Sequence, residues 1–243
     1  MRIIIATPSG ANQGGVKMKL YANPVAAFSR PCVLFLERGE IPVEVVNVDV
    51  FGGECKGEEF TRLNPNKQIP VLEDGGLRLT ECSAILKYLA DKADSPTYPK
   101  DLKQRARVNE AMDWINTGFV RDFSYGFVYP QILPDHKRPT DAANRSTVEW
   151  GRDKARQWLE ILNSNWLGKG NTYLCGNEIT IADYFAAGPI LVGELIGVDF
   201  NAFPNVARWL ANMKKQPGWK AVDYEANGFV EAMKGPEYVT LAS

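Results

Sequence analysis

The stretch 64–92, NPNKQIPVLEDGGLRLTECSAILKYLADK, constrains the fold of this 243-residue chain more than any other segment. Two short apolar runs flank Asp74-Gly75-Gly76, a sequence typical of a tight β-hairpin turn. From Ala84 onward, apolar residues recur at the spacing of an amphipathic helix. The segment therefore predicts a strand, a hairpin turn, a second strand and a helix in direct succession.

Pro70 stands at the head of the first of these strands, directly after Ile69. Because proline cannot donate a ladder hydrogen bond, something other than its own sheet is expected beside it. If the Ile69-Pro70 bond is cis, the backbone of Ile69 turns outward and can pair with an extended peptide. The helix after Glu81 offers free N–H groups to a carboxylate. These features predict a site for a small anionic peptide whose amine Glu81 holds; the alternative is a hairpin and helix without a ligand.

The remaining sequence predicts an α/β part followed by a helical part. Lys19-Leu20-Tyr21 is predicted as a strand, 31–38 as a helix and 43–50 as a second strand, which gives β-α-β before the hairpin. The Pro-punctuated passage 96–100 is the predicted linker. The segments that follow all have helical patterns, near 101–130, 141–167, 180–196, 204–215 and 218–234.

Composition excludes several classes of function. A formal net charge of −1 gives no electrostatic argument for nucleic acid, and no apolar run approaches the roughly 20 residues of a membrane span. The four cysteines form no C-x-x-C pair and His136 is the only histidine, so no metal site is predicted. Widely spaced cysteines suit a reducing cytoplasm. Residues 1–17 are predicted as a flexible extension or a remnant outside the fold, with an extra edge strand as the alternative.

The pattern N-P-x-x-x-[VI]-P-x-L-x-D-G, followed by Glu81 at a helix start, resembles the glutathione-binding half of the glutathione S-transferases. The resemblance implies a thioredoxin-like α/β domain over 18–93, a linker over 94–100 and an all-helical domain over 101–243. The run Thr180-Ile181-Ala182-Asp183-Tyr184 is similar to the family's buried helix-capping motif, which serves folding. The resemblance also implies a cytoplasmic homodimer that binds glutathione as cosubstrate, without metal, and a small hydrophobic electrophile.

Ser29 lies between the first strand and the first helix, in Ser29-Arg30-Pro31-Cys32. This sequence resembles the S-x-P-C of theta-like transferases, which implies that Ser29 donates a hydrogen bond to the glutathione thiolate. Lowering a thiol pKa of about 8.5 by about 2 units requires about 2.7 kcal/mol. A charge-assisted hydrogen bond of ~1.5–3 kcal/mol and a nearby helix dipole of ~0.3–1 kcal/mol suffice. The alternative role for Ser29 is a simple helix cap.

Two other residues are candidates for the catalytic group. Some transferase classes use an early tyrosine, but Tyr21 falls inside the strand pattern and is assigned to the core. Cys32 suggests thiol-transfer chemistry. In proteins of that kind, however, the reactive cysteine directly precedes the proline, and here Arg30 holds that position. Cys32 is therefore predicted to be a buried, inert helix residue.

By resemblance, glutathione is held mainly by the segment around the hairpin. Gln68 is implied to hold its glycyl end or peptide backbone, Ile69 beside Pro70 to pair with its cysteinyl unit, and Glu81 to hold its γ-glutamyl amine. Cys82 occupies the place of the family's serine. Since a thiol is a weak hydrogen-bond donor, weakened glutathione binding is expected. Lys56 is implied to bind the glycyl carboxylate of glutathione.

The electrophile site is expected in the aromatic-rich segment 113–134. Phe123 and Tyr125 are predicted to line it, and Arg121 is predicted either to steady a departing anion or to form an ordinary surface salt bridge. His136 is predicted to be exposed and inert. The resulting hypothesis is glutathione transfer to an electrophile. Its alternatives are a specialised glutathione-dependent dehalogenase or etherase, and a non-catalytic binding protein of the same fold.

Overall fold

The α/β part begins with the first described residue. The structure is a computed structural model and describes residues 18–168, 170–233 and 236–242. The predicted extension 1–17 lies outside the described residues. The elements of the α/β part are β1 (Lys19–Ala22), α1 (Arg30–Leu36), β2 (Glu44–Asn47), α2 (Glu58–Leu63), β3 (Val71–Asp74), β4 (Leu77–Leu79) and α3 (Cys82–Lys92).

The four strands form one sheet in the order β2-β1-β3-β4. β1 pairs with β2 in parallel and with β3 in antiparallel orientation, and β3 pairs with β4 as the predicted hairpin. Gly75 in the hairpin turn has a φ of 60°, a left-handed conformation that glycine adopts without steric cost. The fold predicted from the sequence, a thioredoxin-like α/β domain followed by helices, is confirmed.

Two details of the α/β part differ from the sequence prediction. The helix Glu58–Leu63 was not predicted, because only Phe60 of its six residues is buried and the segment therefore lacks a clear apolar period. β2 covers four residues, fewer than the predicted 43–50. Val48, just past its end, is buried with Phe60 in a small second core beneath the sheet.

The second part is all-helical. Its elements are α4 (Leu102–Trp114), which continues through the π-helical segments Ile115–Phe119 and Arg121–Val128, then α5 (Tyr129–Ile132), α6 (Asp141–Ile161), α7 (Ile181–Leu191), α8 (Pro204–Met213) and α9 (Trp219–Ala232). None of the helices in the described ranges is long and apolar enough to cross a membrane. The helical segments predicted from sequence are present.

The two parts share one hydrophobic core, since α1 and α3 both pack against α7. Gly188 of α7 faces the carbonyl oxygen of Ala27, and a Cβ at this position would overlap that oxygen. The glycine therefore lets α7 approach the loop between β1 and α1 directly. The passage predicted as a linker is also packed: Thr97 accepts a hydrogen bond from the N–H of Ile181, and Tyr98 is buried beneath Arg105.

Asp183 organises the start of α7 from within the core. Its fully buried carboxylate accepts hydrogen bonds from the N–H of Leu174 (2.8 Å), the N–H of Thr180 (2.9 Å) and the indole N–H of Trp209 (2.9 Å). The hydroxyl of Thr180 donates a further bond at 3.0 Å. The Thr180–Asp183 motif thus ties α7 to the preceding loop and to α8.

Candidate active site

A polar cavity of about 270 Å³ lies between the α/β part and the helical part. Residues 68–70 form one wall, the start of α3 forms the floor, and the segment 116–125 of the helical part forms the opposite wall. The lining residues are Phe28, Gln68, Ile69, Pro70, Thr80, Glu81, Cys82, Ser83, Asn116, Val120, Arg121, Tyr125 and Phe185. The structure therefore brings five predicted glutathione-binding residues together, namely Gln68, Ile69, Pro70, Glu81 and Cys82.

The backbone of Ile69 faces this cavity without a partner. Neither its N–H nor its C=O hydrogen-bonds to any described residue, because the ladder to β1 begins only at Val71. The Ile69-Pro70 peptide bond is cis. The side chain of Asn64 holds this turn in place by donating to the carbonyl of Gln68 at 2.7 Å.

The start of α3 supplies donors on the cavity floor. Glu81 is the N-cap residue with extended backbone, and its side chain does not cap the helix, so the first-turn N–H groups are left without a side-chain acceptor. An anionic group placed here meets these N–H groups and the positive end of the helix dipole. The exposed Glu81 carboxylate is available to a cation on the same ligand.

Cys82 lies on the cavity floor and is nearly buried. Its Sγ is 3.7 Å from the Sγ of Cys32 in α1. Burial raises the pKa of the Cys82 thiol well above its usual range, and the neighbouring Cys32 raises it further. Cys82 is therefore a neutral thiol, not a thiolate. Cys32 is fully buried and does not line this cavity, as its position in the apolar helix predicted.

An apolar cavity of about 220 Å³ adjoins the polar one. The two share Phe28, Gln68, Ile69 and Tyr125. The other residues that line the apolar cavity come from the loops after β1 and β2, the turn before β3, α5 and its C-terminal end, the turn directly after α7, and α9: Val25, Ala26, Ala27, Val50, Phe51, Cys55, Lys67, Tyr129, Ile132, Leu133, Val192, Leu195 and Phe229. A molecule extended across the shared wall has one end in polar and the other in apolar surroundings.

Ser29, the predicted catalytic residue, lies outside both cavities. Its side chain is fully buried, and its Oγ has no hydrogen-bond partner among the described residues. It does not act as a helix cap either, because its backbone is helical and its side chain accepts no bond from α1. In this conformation the Ser29 hydroxyl cannot contact a ligand, so its catalytic role stays a prediction that the geometry does not support.

Tyr21 also points away from the cavities. Its hydroxyl donates to the Glu73 carboxylate at 3.0 Å across the β1–β3 pair. Partial burial and Glu73 both raise the pKa of Tyr21. Lys56, predicted to hold the glycyl carboxylate, forms an exposed ion pair with Asp135 of the helical part at 2.8 Å. Lys56 lines neither cavity, and its pairing with Asp135 raises its pKa.

Arg121 and Phe123 occupy different surroundings although they are two residues apart. Arg121 reaches the polar cavity, yet its guanidinium donates two bonds to Asp122, at 2.7 and 2.9 Å. Asp122 also accepts from the indole N–H of Trp158 at 2.7 Å. Phe123 is fully buried against Phe119 in the core and lines neither cavity. Its predicted contact with the electrophile is therefore absent from this conformation.

Tyr125 is the aromatic residue of this segment that lines both cavities. Its ring packs edge-on against Tyr129, with centroids 5.1 Å apart, and against His136, with centroids 5.3 Å apart. Its hydroxyl makes no hydrogen bond to any described residue. The prediction that His136 is exposed was wrong: the side chain is half-buried between these two rings, and burial lowers its pKa.

Several lining residues were not predicted from the sequence. Phe28, Asn116, Val120 and Phe185 come from three parts of the chain, and none of them belongs to the patterns from which the site residues were predicted. Only the position of Phe28, in the loop directly after β1, gave a usable signal. Among the described residues, no group of three or more His, Cys, Asp or Glu side chains is arranged to hold a metal ion.

Comparison with known proteins identifies the family. Residues 16–91 match the glutathione S-transferase N-terminal domain, and residues 120–217 match the C-terminal domain of the same family. Human glutathione S-transferase theta-2 is 33% identical over 199 residues, which cover 79% of this chain and 78% of the relative. Human theta-1 is 30% identical over 210 residues, covering 83% and 84% of the two chains. The chain belongs to the glutathione S-transferase family.

Solved transferase structures agree with this assignment. Human glutathione S-transferase T1-1 in its apo form superposes with a TM-score of 0.74 at 28% identity, covering 91% of this chain and 92% of that one. An unclassified glutathione S-transferase from Bombyx mori gives a TM-score of 0.76 at 28% identity, covering 90% and 98%. The fold of this chain is thus that of the theta-like glutathione S-transferases.

Proposed function

We propose that this protein is a glutathione transferase that binds glutathione in the polar cavity and joins its sulfur to a small hydrophobic electrophile in the apolar cavity. The observation that carries the proposal is the wall shared by the two cavities at Ile69. Glutathione is an extended, anionic peptide, whereas the electrophiles of such reactions are apolar. A site with two adjoining compartments of these characters suits both molecules at once.

The polar cavity offers a matching group for each part of glutathione. The γ-glutamyl carboxylate would meet the free N–H groups at the start of α3, and the γ-glutamyl amine would pair with Glu81. The cysteinyl unit would form two backbone hydrogen bonds with Ile69, as an added strand does. Gln68 would hold the glycyl end or peptide backbone. This arrangement directs the sulfur toward the junction with the apolar cavity.

The reaction needs little more than a stabilised thiolate and a positioned electrophile. The thiol proton leaves to solvent, the sulfur lone pair attacks the electrophilic carbon, and a carbon–sulfur bond forms. In a displacement the leaving group departs as an anion, while in an addition the electrophile takes up a proton. Holding both reactants side by side removes most of the entropic cost of their encounter.

Binding and conjugation can be measured separately. We expect calorimetric titration to show binding of glutathione and of S-methylglutathione, and an aryl halide to be conjugated at a rate that depends on enzyme concentration. Glu81→Gln should weaken both affinities about 10- to 100-fold, because a charge-assisted bond to the amine is lost. The control Glu149→Gln, on the exposed face of α6, should change neither affinity. Absence of glutathione binding to the wild type at millimolar concentration contradicts the proposal.

A non-catalytic binding protein is the second candidate, and two observations favour it. Cys82 places a weak donor where the family resemblance implies a hydroxyl, and the Ser29 hydroxyl is buried. Such a protein would bind glutathione without lowering the pKa of its thiol. Thiolate absorbance of bound glutathione, followed across pH, separates the two candidates.

The resemblance also implies an oligomeric state and a cellular compartment. We include in the proposal that the protein acts as a homodimer in the cytoplasm. Light scattering coupled to size-exclusion chromatography should give a mass near twice the 27.0 kDa of the chain. A narrower activity, such as glutathione-dependent dehalogenation or ether cleavage, would appear as a strong preference for one leaving group across a panel of electrophiles.

A further inference from the structure

If the proposed function is correct, on which this inference rests, the reaction takes place at the junction between the two cavities. Four residues line both cavities: Phe28, Gln68, Ile69 and Tyr125. A glutathione whose cysteinyl backbone pairs with Ile69 has its sulfur beside this residue. The group that stabilises the thiolate therefore has to reach the same junction.

The loop between β1 and α1 carries no hydroxyl that reaches either cavity. Its cavity-lining residues are Val25, Ala26, Ala27 and Phe28, all of them apolar. Ser29, the next residue, is fully buried, and its Oγ has no hydrogen-bond partner among the described residues. The side chains of this loop therefore leave the sulfur without a hydroxyl donor.

Tyr125 supplies a hydroxyl at the junction, where the loop between β1 and α1 supplies none. It stands in the π-helical segment Arg121–Val128, on the helical side of the junction, and is 37% exposed. The rings of Tyr129 and His136 hold its ring from two sides, which fixes its direction without using its hydroxyl. The hydroxyl has no hydrogen-bond partner among the described residues. By contrast, the hydroxyl of Tyr21 is bonded to Glu73.

We propose that the Tyr125 hydroxyl donates the hydrogen bond that stabilises the glutathione thiolate, so that Tyr125 is a catalytic residue. The sulfur gives its proton to solvent, the thiolate accepts the O–H of Tyr125, and Tyr125 itself stays protonated. The sulfur lone pair then attacks the electrophile in the apolar cavity.

The surroundings of Tyr125 favour a protonated donor. Burial raises its pKa above the usual value of 10, and the negative charge of Glu81 raises it further. A tyrosine that keeps its proton donates to an anion throughout the neutral and mildly alkaline range. The side-chain amide of Gln68 is the other donor at this junction, and a backbone N–H of the loop is a third; the experiment has to separate these from Tyr125.

The test compares four proteins: the wild type, Tyr125→Phe, Tyr21→Phe and Ser29→Ala. Ultraviolet absorbance of the bound thiolate is titrated against pH, and binding of S-methylglutathione is measured by calorimetry. In Tyr125→Phe the pKa of the bound thiol should rise by about one to two pH units, and kcat/KM for an aryl halide should fall about 10- to 100-fold. Phenylalanine keeps the ring packing, so affinity for S-methylglutathione should stay within about twofold.

The four proteins give different results for each candidate donor. Tyr21→Phe and Ser29→Ala should retain the lowered thiol pKa, because neither side chain reaches the junction. An unchanged thiol pKa in Tyr125→Phe overturns the inference and assigns the donor to Gln68 or to the backbone. Loss of the shift in Ser29→Ala alone overturns it in favour of the serine. If S-methylglutathione fails to bind the wild type, the proposed function itself fails, which is a different outcome from either.

Discussion

Phe51 and Phe229 stack face to face, with ring centroids 4.6 Å apart and planes inclined by 25°. Phe51 lies in the loop after β2 and Phe229 on α9, so the pair joins the α/β part to the last helix. Both rings line the apolar cavity, and 56% of Phe51 is exposed. The stack therefore closes the outer side of this cavity.

Removing either ring should widen the apolar cavity. We expect Phe51→Ala to raise kcat/KM for bulky electrophiles relative to small ones, and Phe229→Ala to do the same. A double-mutant cycle should give a coupling free energy of ~0.5–1.5 kcal/mol between the two substitutions. The reason is that truncating the second ring removes a stacking contact that the first truncation has already broken. The measurement is kcat/KM for a series of aryl halides of increasing size.

The control for this cycle is Leu102→Ala, which truncates an apolar side chain that is 81% exposed at the start of α4. It should leave the size preference unchanged. Additive effects of the Phe51 and Phe229 variants would show that the two rings do not act together on the cavity.

Replacing Cys82 by serine should tighten glutathione binding. The side chain lies on the floor of the polar cavity, where the family resemblance implies a hydroxyl that bonds the γ-glutamyl carboxylate. A hydroxyl is a stronger donor than a thiol, and one such bond is worth about 0.5–1.5 kcal/mol. We expect Kd to fall about 2- to 10-fold in a calorimetric titration. Cys175→Ser, in the helical part, is the control and should leave Kd unchanged; an equal Kd for Cys82→Ser would mean that this position makes no ligand contact.

Asp183→Asn should strongly destabilise the fold. Donors from Leu174, Thr180 and Trp209 converge on this fully buried carboxylate. An amide has only one acceptor oxygen, so its NH₂ group would face donors and leave at least one unpaired. The expected loss is about 2–4 kcal/mol in the free energy of unfolding, measured with urea.

The matched control for this prediction is Asp101→Asn. Asp101 caps the exposed start of α4 by accepting from the N–H of Gln104 at 2.9 Å, and asparagine caps a helix equally well. Its effect should stay within about 0.5 kcal/mol. Equal stabilities of the two variants would contradict a special role for the buried carboxylate.

Asp122 should make stability depend on pH in the acid range. Burial raises the pKa of this carboxyl, but hydrogen bonds from Arg121 and Trp158 outweigh that effect and lower it below its usual value of 3.8. A lowered native pKa contributes stability above the unfolded pKa, and the contribution is lost as the pH falls through the native pKa. Wild type should therefore exceed Asp122→Asn by about 1–2 kcal/mol at neutral pH, and the difference should shrink below pH ~4.

The measurement for Asp122 is urea unfolding at several pH values between neutral and strongly acidic. Asp153→Asn, which removes an exposed pair with Arg152, serves as the control and should have little effect at any pH. A difference between wild type and Asp122→Asn that stays constant with pH would contradict an ionised, hydrogen-bonded Asp122.

The sequence was enough to predict the fold and to predict which residues of the segment 64–92 lie together. Alternating apolar residues, the Asp74-Gly75-Gly76 turn and the helical periods are local signals that predicted most of the elements. The helix Glu58–Leu63 was missed, and β2 is shorter than predicted. β3, β4 and α3 follow one another directly in the segment 64–92, so Gln68, Ile69, Glu81 and Cys82 meet at one cavity, as the pattern predicts.

The tertiary structure decided which side chains reach the junction of the two cavities. The sequence predicts a catalytic role for Ser29 by family resemblance, and an electrophile-binding role for Phe123 and Tyr125 from the aromatic density of their segment. Yet the direction of each side chain depends on the packing of α7 against the loop after β1 and on the π-helical turns beneath Tyr125. These contacts join residues far apart in the chain, so no local pattern records them. Burial of Ser29 and exposure of Tyr125 are consequences of packing, and they are the reason that the catalytic hydroxyl is proposed on the helical part.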